Sequence, residues 1–345
     1  MEQMDDTLIL ALESSCDETA GAILKNGRDV LAQFVASQID LHRVYGGVVP
    51  EVACRAHMEC LLPGVDSLFA QSGVRPEQLS AVAVTNRPGL IGALLVGVSA
   101  AKALALAWGK PLIGVDHIEG HIAAAAFAEP ELETPYVALV VSGGHTNVYL
   151  VRERDAGRGA MECLASTLDD AAGEAFDKAA KLLGLGFPGG PRIEEAAKNG
   201  DVRAYNWRNS CLPPDGANFS FSGLKTAVLY AARGRAGRKG PLLLDEQGVA
   251  DAAASFQEAV ANALVSRAVD AAVKHGVKWI ALGGGVAANG YLRAKVADAG
   301  QRRGIRVAVP PMSLCTDNAI MIAARATQLF EAGARDRLDL ETAAR

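Results

Sequence analysis

His117 and His121 sit four residues apart in Asp116-His-Ile-Glu-Gly-His. On a helix that spacing puts both imidazoles on one face, within reach of a single metal ion. Asp116 suits the N-cap of such a helix, and Ala123–Ala126 is strongly helix-forming. The bland alternative is two unrelated helix histidines. The pair also invites comparison with the zinc-protease pattern His-Glu-x-x-His, but Glu119 lies two residues after the first histidine, not beside it. Two helical steps turn it roughly 200° away from His117. It cannot act as that pattern's general base.

Other residues could carry a phosphate. Ser142-Gly-Gly-His, Phe187-Pro-Gly-Gly-Pro and Leu282-Gly-Gly-Gly-Val-Ala-Ala-Asn are loops in which glycine lets backbone amides approach a ligand. The third sits where a strand runs into a helix, which favours an anion. None matches Walker A or Gly-x-Gly-x-x-Gly, and each alone is a weak signal. Acids stand close by in sequence. Glu13 and Asp17 flank a turn, and Asp170, Glu174 and Asp177 share one face at helical spacing. A solvated helix face is the alternative for the latter group.

The elements expected to position these residues occur twice. Thr7–Glu13, a polar turn and Thr19–Leu24 read as strand, turn, strand. Tyr136–Val141, Ser142-Gly-Gly-His and Thr146–Val151 read the same way. Leu79–Thr85 and Trp279–Leu282 are each a strand running into a turn and a helix. Pro111–Val115 leads into the histidine helix, and Ile305–Val309 leads into a helix opening at Thr316-Asp-Asn. The expectation is an α/β protein of two duplicated lobes with a cleft between them. Residues 1–133 form the first lobe and 134–345 the second, with a Gly-, Pro- and Arg-rich insertion at about 185–247. If the two equivalent helices meet across the pseudo-symmetry axis, Asp317 faces the histidine pair. Such a His/His/Asp set suits an open, substrate-binding iron or zinc site. Plain N-capping is the alternative for Asp317.

Bulk properties narrow the class. The 345 residues exceed one ordinary core, and half of them are hydrophobic. Leu90–Trp108 is apolar but broken by glycine and Lys102, so it reads as a buried core helix and not a membrane span. The acidic start Met1-Glu-Gln-Met-Asp-Asp lacks the basic region of a signal peptide. Six scattered cysteines without a Cys-x-x-Cys pair fit reduced thiols in a cytoplasm. A net charge of −5 excludes whole-surface electrostatic binding of nucleic acid. A local patch, Arg233-Gly-Arg-Ala-Gly-Arg-Lys near Lys225, remains available for tRNA, or is simply a solvated loop.

These residues also carry a family resemblance. Glu13-Ser-Ser-Cys-Asp-Glu-Thr, Tyr45-Gly-Gly-Val-Val-Pro-Glu, His117-Ile-Glu-Gly-His, Val141-Ser-Gly-Gly-His-Thr, Gly173-Glu-Ala-Phe-Asp-Lys, Phe187-Pro-Gly-Gly-Pro, Phe219-Ser-Phe-Ser-Gly-Leu-Lys-Thr, Gly284-Gly-Val-Ala-Ala-Asn and Cys315-Thr-Asp-Asn run in order along nearly the whole chain. Together they resemble the bacterial tRNA adenosine threonylcarbamoyltransferases, once called O-sialoglycoprotein endopeptidases. The resemblance implies a fold like actin, Hsp70 and sugar kinases (ribonuclease H-like). It implies transfer of a threonylcarbamoyl group from L-threonylcarbamoyl-AMP to N6 of adenosine 37 in tRNAs reading ANN codons. It implies one divalent metal, iron with zinc as the alternative, on His117, His121 and Asp317. It implies substrate contacts at Val140, Val141, Ser142, Gly143, Gly144, Asp177, Gly190 and Asn289, with Glu194 a weaker candidate, and catalytic assistance by Asp17. A paralogous fold-mate subunit and a small ATPase are the implied partners. The chain departs from the pattern at Arg87-Pro-Gly, where Gly-Pro-Gly is usual, and at Asp116, where His or Asn is common. A kinase or ATPase of the same fold, and a non-catalytic tRNA or partner scaffold, are the competing readings.

Overall fold

The structure is a computed structural model that describes residues 6–153, 157–207, 210–211, 213, 216, 218–234, 237 and 240–344. Two five-stranded mixed sheets form its framework. The first contains β1 (Leu8–Glu13), β2 (Glu18–Lys25), β3 (Asp29–Ser37), β4 (Ala81–Arg87) and β5 (Leu112–Asp116), in the order β3-β2-β1-β4-β5. The second contains β6 (Tyr136–Val141), β7 (Thr146–Val151), β8 (Met161–Ser166), β9 (Trp279–Gly283) and β10 (Arg306–Ala308), in the order β10-β9-β6-β7-β8. Read from opposite ends the two orders are identical, so the duplication is real. In each sheet the first strand pairs antiparallel with its hairpin partner on one side and parallel with a later strand on the other. The third antiparallel strand of each half is an addition to the sequence-based expectation. Both β3 and β8 are edge strands of mixed exposure, so neither shows the unbroken apolar run that marks β1 and β6.

The helices are α1 (Ile39–Arg43), α2 (Pro50–Ser72), α3 (Ile91–Trp108), α4 (His117–Ala128), α5 (Ala172–Leu182), α6 (Gly189–Ala197), α7 (Ser222–Arg233), α8 (Glu246–Lys274), α9 (Gly290–Arg303) and α10 (Ala319–Glu331). The first compact unit comprises Met1–Pro130, Glu153–Ala160 and Thr316–Arg345, and the second Glu131–Arg152 and Met161–Cys315. This division differs from a single cut at 133/134, because the C-terminal segment returns to the first unit. Buried apolar residues Ile320, Met321 and Ile322 draw α10 onto α4 and onto the strands of the first sheet. Beyond the helix, Asp336 N donates to Leu112 O and Ala343 N to Asn86 O, which fixes the tail to the same sheet.

In the first unit Leu8, Leu10 and Leu12 of β1 point to one face, where they meet Leu61, Val65 and Leu68 of α2 and Val98 and Ala101 of α3. The opposite face is covered by α10. Helix α3 is long and apolar enough to cross a membrane by length and composition. It differs from a fully buried helix: Ala93, Leu94, Gly97, Val98, Ala101 and Ala105 are covered, whereas Leu95 and Leu106 are exposed.

In the second unit Val137, Leu139 and Val141 pack with Phe176 of α5 and with Phe256 and Leu264 of α8. Residues about 185–247 are not merely a surface excursion. Ile193, Trp207, Phe219, Phe221, Leu224 and Val228 are buried in the same core. The basic run considered for tRNA falls largely on residues 235–236 and 238–239, which lie outside the described residues.

Candidate metal centre and glycine loops

The first unit brings Asp317 to a histidine pair that is far from it in sequence. The two histidines lie in the first two turns of α4, and Asp317 lies two residues before the start of α10. Asp317 Oδ1 is 3.3 Å from His117 Nε2 and 3.2 Å from His121 Nε2. The two rings meet edge to face, with centroids 4.6 Å apart. One donor atom from each of the three residues falls within 4.8 Å of the others.

Local sequence explains the placement. Asp116 Oδ1 accepts from Ile118 N at 2.9 Å and Glu119 N at 3.4 Å, so Asp116 is the N-cap expected of it. Asn318 caps α10, its Oδ1 accepting from Met321 N at 3.0 Å. Asp317 is therefore not the cap. Helices α4 and α10 follow the equivalent strands β5 and β10 and pack on one another. Gly120 allows the approach, since a Cβ there would lie 2.8 Å from Ile322 Cδ1. Glu119 points elsewhere: its Oε2 accepts from Arg325 Nε at 2.9 Å and its Oε1 from Gly159 N at 3.2 Å.

The donor set fits a metal. Neither nitrogen of buried His121 has a hydrogen-bond partner among the described residues. Its Nε2 faces the Asp317 carboxylate as an ion-pair contact at 3.2 Å. Burial depresses the basicity of His121, leaving a neutral ligand nitrogen. Burial also opposes charge on His117, but Asp317 and Glu13 outweigh it and hold its pKa well above the ordinary value. Asp317 is opposed by burial too, and His117 and His121 hold it well below the carboxylate range. A divalent cation would satisfy the same carboxylate in place of the His117 proton.

Asp17 lies in the turn between β1 and β2. That turn is pinned along its backbone: Ser15 O accepts from Leu90 N, Cys16 O from His57 Nε2 at 3.0 Å, and Asp17 O from Gln38 N at 3.0 Å. Burial, then the charge of Asp317, raises the Asp17 pKa. The two departures from the family pattern meet each other, with Arg87 Nε 3.2 Å from Asp116 Oδ2. Glu13, which the sequence marks only as flanking the turn, is fully buried and reaches His117 Nδ1 at 3.0 Å. Thr85, which donates to Glu13 at 2.6 Å, carries no sequence signal at all.

The second unit gathers the glycine loops. Gly173 N donates to Ser142 O, and a Cβ at Gly173 would lie 2.6 Å from that oxygen. Gly284, at φ +87°, comes so close to Val141 that a Cβ would lie 2.3 Å from its carbonyl oxygen. Gly189 N donates to Asp177 Oδ1 at 2.7 Å. By contrast, a Cβ on Gly143, Gly144, Gly190 or Gly285 would meet nothing within 4 Å. These open glycines leave backbone approachable by a ligand. Val140 and Val141 have their side chains in the core, and Val140 pairs with Gly283. Asn289 caps α9 by accepting from Leu292 N at 2.8 Å and donates to Gln257 at 2.9 Å. Glu194 accepts from Gly290 N at 2.8 Å. Of the three acids expected on one helix face, Glu174 and Asp177 lie on α5 but Asp170 precedes it; Asp170 binds Lys178 and Lys225, and Glu174 pairs with Lys178.

The family model for TsaD, tRNA N6-adenosine threonylcarbamoyltransferase, matches residues 29–324. A protein of that name from Symbiobacterium thermophilum is 54% identical over 99% of this chain and 96% of its own length. One from Anaeromyxobacter dehalogenans is 51% identical over 97% of each. Among solved structures, T. kodakarensis HypF superposes with a TM-score of 0.63 at 17% identity, over 96% of this chain and 49% of that one. The Acidaminococcus fermentans (R)-2-hydroxyglutaryl-CoA dehydratase component A gives 0.53 at 14% identity, over 95% and 99%. These last two likenesses concern the fold.

Proposed function

Because the chain belongs to the tRNA N6-adenosine threonylcarbamoyltransferase family, we propose that it moves a threonylcarbamoyl group from L-threonylcarbamoyl-AMP to N6 of adenosine 37 in tRNAs reading ANN codons. The convergence of His117, His121 and Asp317 carries this reading to particular residues. The donor is a mixed carbamic–phosphoric anhydride. The N6 nitrogen attacks the carbamoyl carbon, a C–N bond forms, the bond to the phosphate oxygen breaks, and AMP leaves.

His117, His121 and Asp317 would hold one divalent metal, iron with zinc as the alternative. When bound, the metal supplies Lewis-acid polarisation and a template for the donor. The Gly143–Gly144 and Gly284–Gly285 loops are assigned to the donor's phosphate, whose charge backbone amides can take. Asp17, with its raised pKa, is assigned to accept the N6 proton. Asp177, Gly190 and Asn289 are assigned to the nucleotide, the first and last by holding the loops in shape. A kinase would hold Mg²⁺ through oxygens, which a histidine pair does not suit.

Adenosine 37 lies in a single-stranded loop, so little unpairing is required. A paralogous fold-mate and a small ATPase are the proposed partners, and the cytoplasm the proposed compartment. The test is to incubate the protein with L-threonylcarbamoyl-AMP, tRNA and these helpers and to assay modified adenosine and AMP. Product from wild type but not from Asp317→Ala supports the reading. No product from wild type, or full activity in Asp317→Ala, overturns it.

A further inference from the structure

We propose that Glu13 is a positioning residue of the metal centre, fixing which nitrogen of His117 faces Asp317 and His121. The inference rests on the metal reading above. Glu13 is fully buried at the end of β1 and takes no part in the proposed chemistry. Two donors and one ring nitrogen converge on it. Oε1 accepts from Ser15 N at 2.5 Å, and Oε2 accepts from Thr85 Oγ1 at 2.6 Å and faces His117 Nδ1 at 3.0 Å.

An ionised carboxylate only accepts hydrogen bonds. The Thr85 hydroxyl has one proton, and at 2.6 Å it is committed to Glu13. A bare Nδ1 lone pair facing Glu13 Oε2 would be repelled, so Nδ1 carries the proton and donates it. In a neutral imidazole that leaves the lone pair on Nε2, the nitrogen 3.3 Å from Asp317 Oδ1. Ser15 Oγ, 3.2 Å from the same Nδ1, can share that proton. The arrangement follows from strand order. Glu13 ends β1, Thr85 lies on the adjacent β4, and His117 follows β5, the next strand. A carboxylate holding a ligating histidine by its other nitrogen fixes ring orientation and strengthens the ligand.

The test uses the full chain and Zn²⁺ alone, titrated against a chromophoric chelator. Glu13→Gln is expected to bind Zn²⁺ about 10–100-fold more weakly than wild type. Unchanged affinity in Glu13→Gln overturns the proposal and leaves the metal centre standing. Absence of Zn²⁺ binding by wild type overturns both. A second measurement needs no variant: the ¹⁵N spectrum of the His117 ring in Zn²⁺-loaded wild type. A protonated Nδ1 with Nε2 bound to zinc supports the proposal. Zinc on Nδ1 overturns it, whether or not Glu13→Gln folds.

Discussion

Asn318 takes the N-cap of α10 and thereby leaves the carboxylate of its neighbour Asp317 to the histidine pair. Its Nδ2 also donates to Thr316 O at 2.8 Å, tying the turn on the other side of Asp317. Asn318→Ala should cost about 1 kcal/mol through the lost cap and loosen Asp317. Asn318→Asp keeps a cap but loses the bond to Thr316. Chemical denaturation should separate the two variants, while metal titration should show both weakened.

His117→Ala, His121→Ala and Asp317→Ala should each lose bound metal. Metal analysis of the purified variants, with a transfer assay beside it, checks this. Asp17→Asn should behave differently, retaining metal while transfer falls about 100-fold or more, within the usual range for a general base.

The glycine loops divide into two kinds. Gly284→Ala combines a φ of +87° with a contact of 2.3 Å to backbone, so it should cost about 2–4 kcal/mol. Gly143→Ala meets nothing within 4 Å and should leave the melting temperature almost unchanged. If the loop receives the donor's phosphate, Gly143→Ala should still weaken binding of AMP, measured by calorimetry.

Arg325 is almost fully buried and pairs with Glu119 at 2.9 Å. Arg325→Met strands a mostly buried carboxylate and should destabilise the protein by about 3–5 kcal/mol. Neither member of the pair is a metal ligand, so the folded variant should still bind Zn²⁺. A large loss of metal affinity in folded protein would contradict the separation of Glu119 from the site.

Glu18 gives a pH dependence. Burial raises its pKa from 4.5 to about 7. The unfolded chain therefore releases this proton first, and stability falls as pH rises from about 4.5 to above 7. With allowance for solvent screening of a group that is not wholly enclosed, the loss should be on the order of 2 kcal/mol. Glu18→Gln should flatten the profile over that window and raise stability at pH 8, as read from denaturation curves.

What the sequence determined follows from short-range rules. Helical periodicity put His117 and His121 on one face and turned Glu119 away, and alternating strands and turns exposed the duplication. The edge strands β3 and β8 were not legible, because their burial is set by neighbouring strands and not by their own pattern. Only the tertiary structure could return residues 316–345 to the first unit, since that depends on which sheet α10 covers. It also removed helix capping as the role of Asp317, because the Asn beside it takes that helix end. The carboxylate of Glu13 meets His117 across 104 residues of sequence, through adjacent strands whose pairing no local signal encodes.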